Sequence, residues 1–482
     1  MKSLPKPKRS AGSMVFDAAF VLFGALTIQF LYVKSAPAVI TSDSIHALRG
    51  ALEFISSDTI AILGPDYVPG YSLFIAGIIA VAGKAIAPVL TIQHLMLAVL
   101  ASLATVVVRI YSNRSYSLCA GFLIALDPVS AFCSSWVLPD FLFVFLITCA
   151  VLSAFDAHRS PLLSAISGLL FGSAVLVETQ GVVLWLAAFS LILLSSLIRR
   201  DDMKQTSAAL LLFTLSFLLL LVPWIMYRSN VLGDIGIAKE NKSLTRIERL
   251  QQTMLFDPYL IADKDERALY QDVLHRYTRS SPSEKKYFRP MAEIFRDELV
   301  KRGDEKAADR WFHDYLTEYR QTHPQRYWTQ VLLSFASLLQ LNSDAAYLPH
   351  MANDYLGEKI SPSELLKRSG ATEEETQILL SYQARNEATE SWRSVLHDIQ
   401  TYKAVCSLFL LFLVFVSIYA LARGSLFDPI FLLPYLIFTV QAASQAYLLQ
   451  NDDRLTLIFS PLLFVQLALL LGAVGELAKT RR

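Results

Sequence analysis

Residues 206–227 read TSAALLLFTLSFLLLLVPWIMY, 22 consecutive positions without a charge. Coiled as an α-helix at ~1.5 Å per residue, such a run is about 33 Å long, the depth of a bilayer's hydrocarbon core. Lipid offers no partner to a bare N–H or C=O, so a run like this crosses a membrane as a helix or not at all. Arg228 closes the stretch on one side, and Arg199, Arg200 and Lys204 precede it on the other.

Outward from this helix the pattern repeats. Apolar runs recur at about 15–33, 70–87, 90–111, 116–133, 137–155, 162–177, 181–198, 402–423, 427–447 and 455–477. The whole chain agrees: 54% of its residues are hydrophobic, 18% are charged, and the mean hydropathy is +0.42. Soluble domains usually carry about 25% charged residues. The net charge of +1 gives no reason to expect nucleic acid as a partner. Cys119, Cys133, Cys149 and Cys406 all fall in apolar runs, a placement that suits packing and neither a disulfide framework nor a zinc site. Lys2, Lys6, Lys8 and Arg9 precede the first run, which is followed by Ala36-Pro37-Ala38. That run exceeds the usual ~7–15 residues of a signal-peptide core, so a retained first helix is expected.

Between 228 and 401 the composition turns polar, with turn punctuation at Ser281-Pro282-Ser283, His323-Pro324 and Ser361-Pro362. Segments 305–320 and 362–388 read as helices with polar faces. The expected organisation is an N-terminal transmembrane module over 1–228 with its first outer loop at 34–89, a helical insertion over 229–401, and C-terminal transmembrane helices over 402–482. Within the insertion Trp311, Tyr327 and Trp328 are candidates for packing or for an acceptor surface, and Arg326-Tyr327-Trp328 before 331–341 suits a helix lying at a membrane interface.

Lysine and arginine set the orientation. The basic N-terminus, the 199–204 loop, the 109–114 loop and the tail Lys479, Arg481, Arg482 all read as cytoplasmic. Both ends inside requires an even number of crossings. The short, glycine-bearing run at 70–87 is therefore expected to lie on the outer side as a juxtamembrane or re-entrant helix. About ten crossings remain, giving an all-α polytopic fold with the insertion outside. The loop at 34–68, the turns at 131–139, 178–181 and 448–454, and the insertion then share one face.

The polar residues on that face form an ordered series. Asp43 and His46 stand in Thr41-Ser42-Asp43-Ser44-Ile45-His46, and Pro69-Gly70-Tyr71 follows. Next come Asp127-Pro128 and Leu138-Pro139-Asp140-Phe141-Leu142-Phe143. Pro223 and Trp224 precede Arg228 by five and four residues, and Gln450-Asn451-Asp452-Asp453-Arg454 precedes a run containing Pro461. Each alone has a plain structural account. Asp43 suits a helix N-cap, and Asp140 suits the positive end of a helix. Arg228 and Arg454 suit interfacial anchoring. Asp127 competes with Asp140 as the second carboxylate. His46 suits an exposed helix face, and Glu178 suits a helix end.

Taken in order, the series resembles the polyprenyl-phosphate-sugar glycosyltransferases of the C-type fold, the superfamily of the protein O-mannosyltransferases and the lipid A aminoarabinose transferases. The resemblance is spread over about 1–235 and 402–482 and does not cover most of the insertion. It implies a multi-pass enzyme of a bacterial plasma membrane, its site facing outward, that moves a sugar from a polyprenyl-phosphate carrier to an envelope glycan, a lipid or a protein. Asp43 would be the general base, within hydrogen-bond reach of the acceptor hydroxyl. Arg228 and Arg454 would hold the carrier phosphate, since a guanidinium matches phosphate oxygens in a fork. Asp140 would orient the acceptor or share a divalent cation with Asp43, and no other cofactor is implied. His46, Tyr71, Glu178 and Trp224 are candidate substrate contacts. One departure stands out: where many members have Leu-x-Arg-Pro-x-Gly, this chain has Leu176-Val177-Glu178-Thr179-Gln180-Gly181, a carboxylate in place of a cation. Two rival readings are a transporter or lipid flippase and an inactive relative that docks a partner. Matched halves, a frequent sign of a transporter, do not show in this sequence.

Overall fold

The computed structural model describes residues 11–35, 38, 40, 42–56, 68–155, 160–199, 203–231, 236–237, 246–247, 250–251, 256–279, 291–338, 366, 370–381, 436–437, 439–441, 443 and 460–479. Among these residues the regular structure is helical, without a strand. The helices of the first part are α1 (Ala11–Ser35), α2 (Ser42–Ser56), α3 (Gly70–Ala82), α4 (Ala87–Tyr111), α5 (Arg114–Leu126), α6 (Pro128–Cys133), α7 (Pro139–Ala154), α8 (Pro161–Val177), α9 (Gly181–Arg199) and α10 (Met203–Val231). Then come α11 (Lys264–Arg279), α12 (Met291–Arg302), α13 (Glu305–Thr322), α14 (Pro324–Leu338), α15 (Glu373–Leu380) and α16 (Ser460–Lys479).

Among the described residues, three helices are long and apolar enough to cross a membrane: Ala11–Lys34, Ala87–Tyr111 and Lys204–Val231. Shorter apolar helices cover Gly70–Ala82, Arg114–Leu126, Pro139–Ala154, Pro161–Val177, Gly181–Leu194 and Ser460–Gly472. Their outward faces are oily, with Phe23 75%, Leu162 70% and Leu219 66% exposed. Lipid, not water, is the solvent that such surfaces suit, and the chain is an integral membrane protein. The run at 402–423 and most of 427–447 fall outside the described residues.

The apolar run at 116–133 is two helices, not one. Pro128 has no N–H to donate and restrains Asp127 to an extended conformation, φ −62° and ψ 110°. Asp127 then caps α6, accepting from the Val129 and Ser130 amides. Other starts follow the same chemistry. Asn113 caps α5, and Ser160 caps α8 with Pro161 in its first turn. Glycine sets the packing of α8 against α10: a Cβ on Gly172 would stand 2.9 Å from the Phe217 carbonyl oxygen, and one on Gly168 would collide with that of Phe213.

Helices α1 and α4 run antiparallel, fastened near both ends. At one end Gln29 meets His94, and at the other Asp17 accepts Arg109 Nε at 3.2 Å and Arg114 Nε at 2.8 Å. Asp17, a charge inside the first apolar run, is thus an almost fully buried tie between α1, α4 and the start of α5.

The chain divides into two compact units, 1–239 with 346–441 and 453–482, and 240–345 with 442–452. The second has a core of its own in which Phe295, Phe312, Tyr319 and Tyr327 are fully buried. Phe256 stacks on Tyr315 at 4.5 Å, and Trp311 Nε1 donates to Glu266 at 2.7 Å. Trp311 and Tyr327 are therefore packing residues, while Trp328 is 53% exposed on α14. Burial pushes the Tyr270 phenol up to about 12. Within the first unit, α15 packs on α2.

Candidate active site

The sequence motifs converge through a residue that none of them contains. Gln93 lies in the second turn of α4, fully buried. Its amide nitrogen donates to the Ser134 and Trp136 carbonyls at 2.8 and 2.9 Å, and its amide oxygen accepts from the Tyr71 hydroxyl at 3.0 Å. Pro69-Gly70-Tyr71 is thereby tied to the turn that leads into Pro139-Asp140. A buried amide so placed has little freedom, because rotating it breaks every bond together. Asp140 is 7% exposed in the first turn of α7 and lies near enough for its charge to act on the Tyr71 phenol.

Gly70 brings a third motif in. A Cβ there would stand 2.5 Å from the Leu176 carbonyl oxygen, so the start of α3 rests directly on the end of α8. Glu178, two residues on, is the half-buried C-cap of α8, and its carbonyl accepts from the Gly181 amide at 3.0 Å. Gln180 pairs with Gln441 across the same turn.

A second buried group adjoins the 134–136 turn. His94 Nδ1 meets Gln29 Oε1 at 2.8 Å and Nε2 meets the Ser135 hydroxyl at 3.0 Å. Gln29 Nε2 donates to the Ala125 carbonyl at 2.9 Å, which leaves Oε1 as acceptor. A neutral ring in this place carries its proton on Nδ1 and accepts from Ser135 through Nε2. Asp127, 2% exposed, accepts from the hydroxyls of Ser130 and Ser460, both at 2.5 Å, besides its two amides. Those bonds make it a cap and a tie to α16.

Asp43 is the second residue of α2, inside its first turn; its side chain lies outside what the structure describes. His46, one turn on, is exposed. The far half of α2 is anchored by α15. Arg49 forks onto Glu375 at 2.8 and 3.1 Å and also donates to the Gly370 carbonyl at 3.0 Å. Glu375 closes the capping box of α15, accepting the Thr372 amide at 2.7 Å. Burial works against the Glu375 charge, but the Arg49 fork and the Thr372 bonds outweigh it and hold the carboxyl below the usual glutamate value. Lys84 reaches Glu374, and the Ile86 amide donates to Ser381, so α15 spans α2 and the turn between α3 and α4.

Arg228 is fully buried in the last turn of α10, its guanidinium 5.9 Å from the Trp224 ring. Trp224 Nε1 donates to the Ile237 carbonyl at 2.8 Å, which folds the chain after α10 back onto that ring. Arg454 lies outside the described residues. Among the described residues no three His, Cys, Asp or Glu side chains gather to hold a metal ion.

The structure thus gathers Tyr71, Asp140 and the turn bearing Glu178, and it pairs Arg228 with Trp224. Sequence reasoning missed Gln29, Gln93, His94 and Ser135. The signal for the first three was a polar side chain inside an otherwise apolar run, which in a membrane has to find a partner.

No family model and no curated protein matches the chain. Among solved structures, the crystal structure of ArnT from Cupriavidus metallidurans bound to undecaprenyl phosphate is similar at 14% identity and a TM-score of 0.35, over 94% of this chain and 78% of that one. Identity and a TM-score this low leave the functional reading to the chain's own residues.

Proposed function

We propose that this chain is a membrane glycosyltransferase that moves a sugar from a polyprenyl-phosphate carrier to an acceptor hydroxyl on the extracytoplasmic side. The observation that carries the reading is the buried Gln93 amide, which ties Tyr71 to the turn leading into Pro139-Asp140. Two motifs far apart in sequence, matched to the superfamily independently, meet at one end of the helix bundle.

Asp43 takes the proton of the acceptor hydroxyl as the new glycosidic bond forms, and the carrier phosphate leaves with the electrons of the old bond. Arg228 and Arg454 stabilise that phosphate through forked hydrogen bonds. Asp140 orients the acceptor, held by the α7 start and the Gln93 junction. A divalent cation would add charge stabilisation at Asp43 and Asp140, but two carboxylates alone do not select a metal. Glu178, where relatives carry a cation, tunes the donor sugar. The acceptor is an envelope glycan, lipid or protein.

A general base contributes about 10²- to 10⁴-fold to a rate. Asp43→Asn is therefore expected to lower transfer from radiolabelled polyprenyl-phosphate sugars by that factor while membrane insertion and carrier binding persist. Retained transfer in Asp43→Asn sinks the base assignment. Arg228→Gln is expected to raise the donor KM more than it lowers kcat for a shortened carrier.

A further inference from the structure

At the end of the α1–α4 pair opposite His94, two guanidiniums share one carboxylate. Asp17 is 1% exposed and receives Arg109 and Arg114 through their Nε atoms, on Oδ2 and Oδ1 respectively. Two cations against one anion leave the trio one positive charge in surplus. Among the described residues, the terminal η nitrogens of both arginines make no further hydrogen bond. Where the surroundings are poorly polar, mutual repulsion of the guanidiniums is weakly screened, and a second anion would relieve it.

The surroundings are amphiphilic. The Arg114 side chain is 57% exposed, and its guanidinium stands 6.0 Å from the Phe16 ring. Val15, Phe16 and Phe20 are 67%, 62% and 53% exposed on the neighbouring face of α1. A forked cationic edge beside an exposed apolar strip fits a phosphate joined to acyl chains. In the sequence the basic residues Lys2, Lys6, Lys8 and Arg9 precede α1, and with the 109–114 loop they mark the side where anionic lipids concentrate in the inner leaflet.

We infer that Arg109 and Arg114, braced by Asp17, form a binding site for the phosphate of an anionic phospholipid in the cytoplasmic leaflet. The site is separate from the Tyr71–Asp140 junction and does not rest on the transfer reading. The guanidinium η edges take the phosphate oxygens, and the α1 face takes the acyl chains.

The test uses the full chain in nanodiscs of phosphatidylcholine alone or with phosphatidylglycerol, reading the thermal unfolding midpoint. A ligand that binds only the folded state raises that midpoint. Phosphatidylglycerol is expected to raise the wild-type midpoint by several degrees. Arg114→Gln is expected to lose that rise, each variant being read against its own midpoint in phosphatidylcholine, since loss of the Asp17 bond lowers the baseline. Arg114→Lys keeps the charge but not the fork, and is expected to lose most of the rise. No lipid-dependent rise in the wild type, or a full rise in either variant, overturns the site. A full rise produced by inorganic phosphate in detergent overturns the lipid as its source.

Discussion

At the scale of single residues, the unusual feature is how much depends on Gln93. Its one amide serves Tyr71, Ser134 and Trp136. Gln93→Leu keeps the volume and leaves a phenol and two carbonyls without that partner. Each stranded buried group costs about 1–3 kcal/mol in soluble proteins. Double-mutant cycles for interhelical hydrogen bonds in membranes average nearer ~0.6 kcal/mol, because alternative partners are found there too. The lower figure decides the expectation. Gln93→Leu should insert and fold with a midpoint reduced by a few degrees, yet lose most transfer activity because Tyr71 and Asp140 drift apart. An unfolded variant would make Gln93 a stability residue first; a fully active one would remove the junction from the site. Gly70→Ala tests the same junction from outside. Its methyl group meets backbone, not a yielding side chain, so α3 has to shift and activity should fall several-fold. The candidates Asp43, Tyr71, Asp140, Glu178 and Trp224 were legible because each stands in a short motif. Gln93 and His94 were not, since their meaning lies in partners 41 and 65 positions away.

Among the elements, helix lengths were legible and their breaks less so. The runs at 15–33, 90–111 and 206–227 match α1, α4 and α10 to within a few residues, because an uncharged run in lipid has no alternative to helix. The break at Asp127-Pro128 was quoted in the sequence but read through, hydropathy being blind to backbone geometry. Hydropathy is equally silent on α15, an eight-residue polar helix whose importance comes from what it grips. Its Glu375 has a depressed carboxyl. The Arg49 fork therefore stabilises the fold fully above the ordinary glutamate value and loses that contribution as the pH falls through the depressed one. Protection of the α15 amides from hydrogen exchange should accordingly weaken under acid at a lower pH than an unpaired glutamate would allow. Glu375→Gln should show the weakened protection already at neutral pH. The exchange Arg49→Glu with Glu375→Arg should recover part of it, though not the capping box, where an acceptor side chain is needed at the third helical position. Equal protection in wild type and Glu375→Gln across the pH range would remove the fork as the anchor of α15 on α2.

For the whole molecule, what remains to be decided is sidedness, and the polar residues of α1 and α4 frame the question. The Gln29–His94 and Asp17–Arg109 pairs lie 12 residues apart along α1, about 18 Å at ~1.5 Å per residue. That separation is little more than half of a ~30 Å hydrocarbon core, so the two ties lie at different depths, one in each half of the helix pair. Lysine and arginine counts assign the Asp17 end to the cytoplasm, and the proposed site then faces outward. Single cysteines at Ser44, Asn113, Lys204 and Asn451, in a variant with the four native cysteines replaced, turn this into a measurement. Asn113 caps α5 beside Arg114, so it reports directly on the end that carries the arginine pair. With a membrane-impermeant thiol reagent added outside, Ser44 and Asn451 are expected to label, while Asn113 and Lys204 label only after permeabilisation. If Asn451 were shielded in intact cells, Arg454 and Asp43 would lie on opposite faces and could not serve one phosphate. The donor would then have to be held by Arg228 without Arg454, and an even count of about ten crossings would fail with it. If instead Asn113 labelled from outside, the arginine pair would face the outer leaflet and its phosphate ligand could not be a cytoplasmic-leaflet lipid. The four positions therefore test the transfer site and the lipid site separately, and either proposal can fall while the other stands.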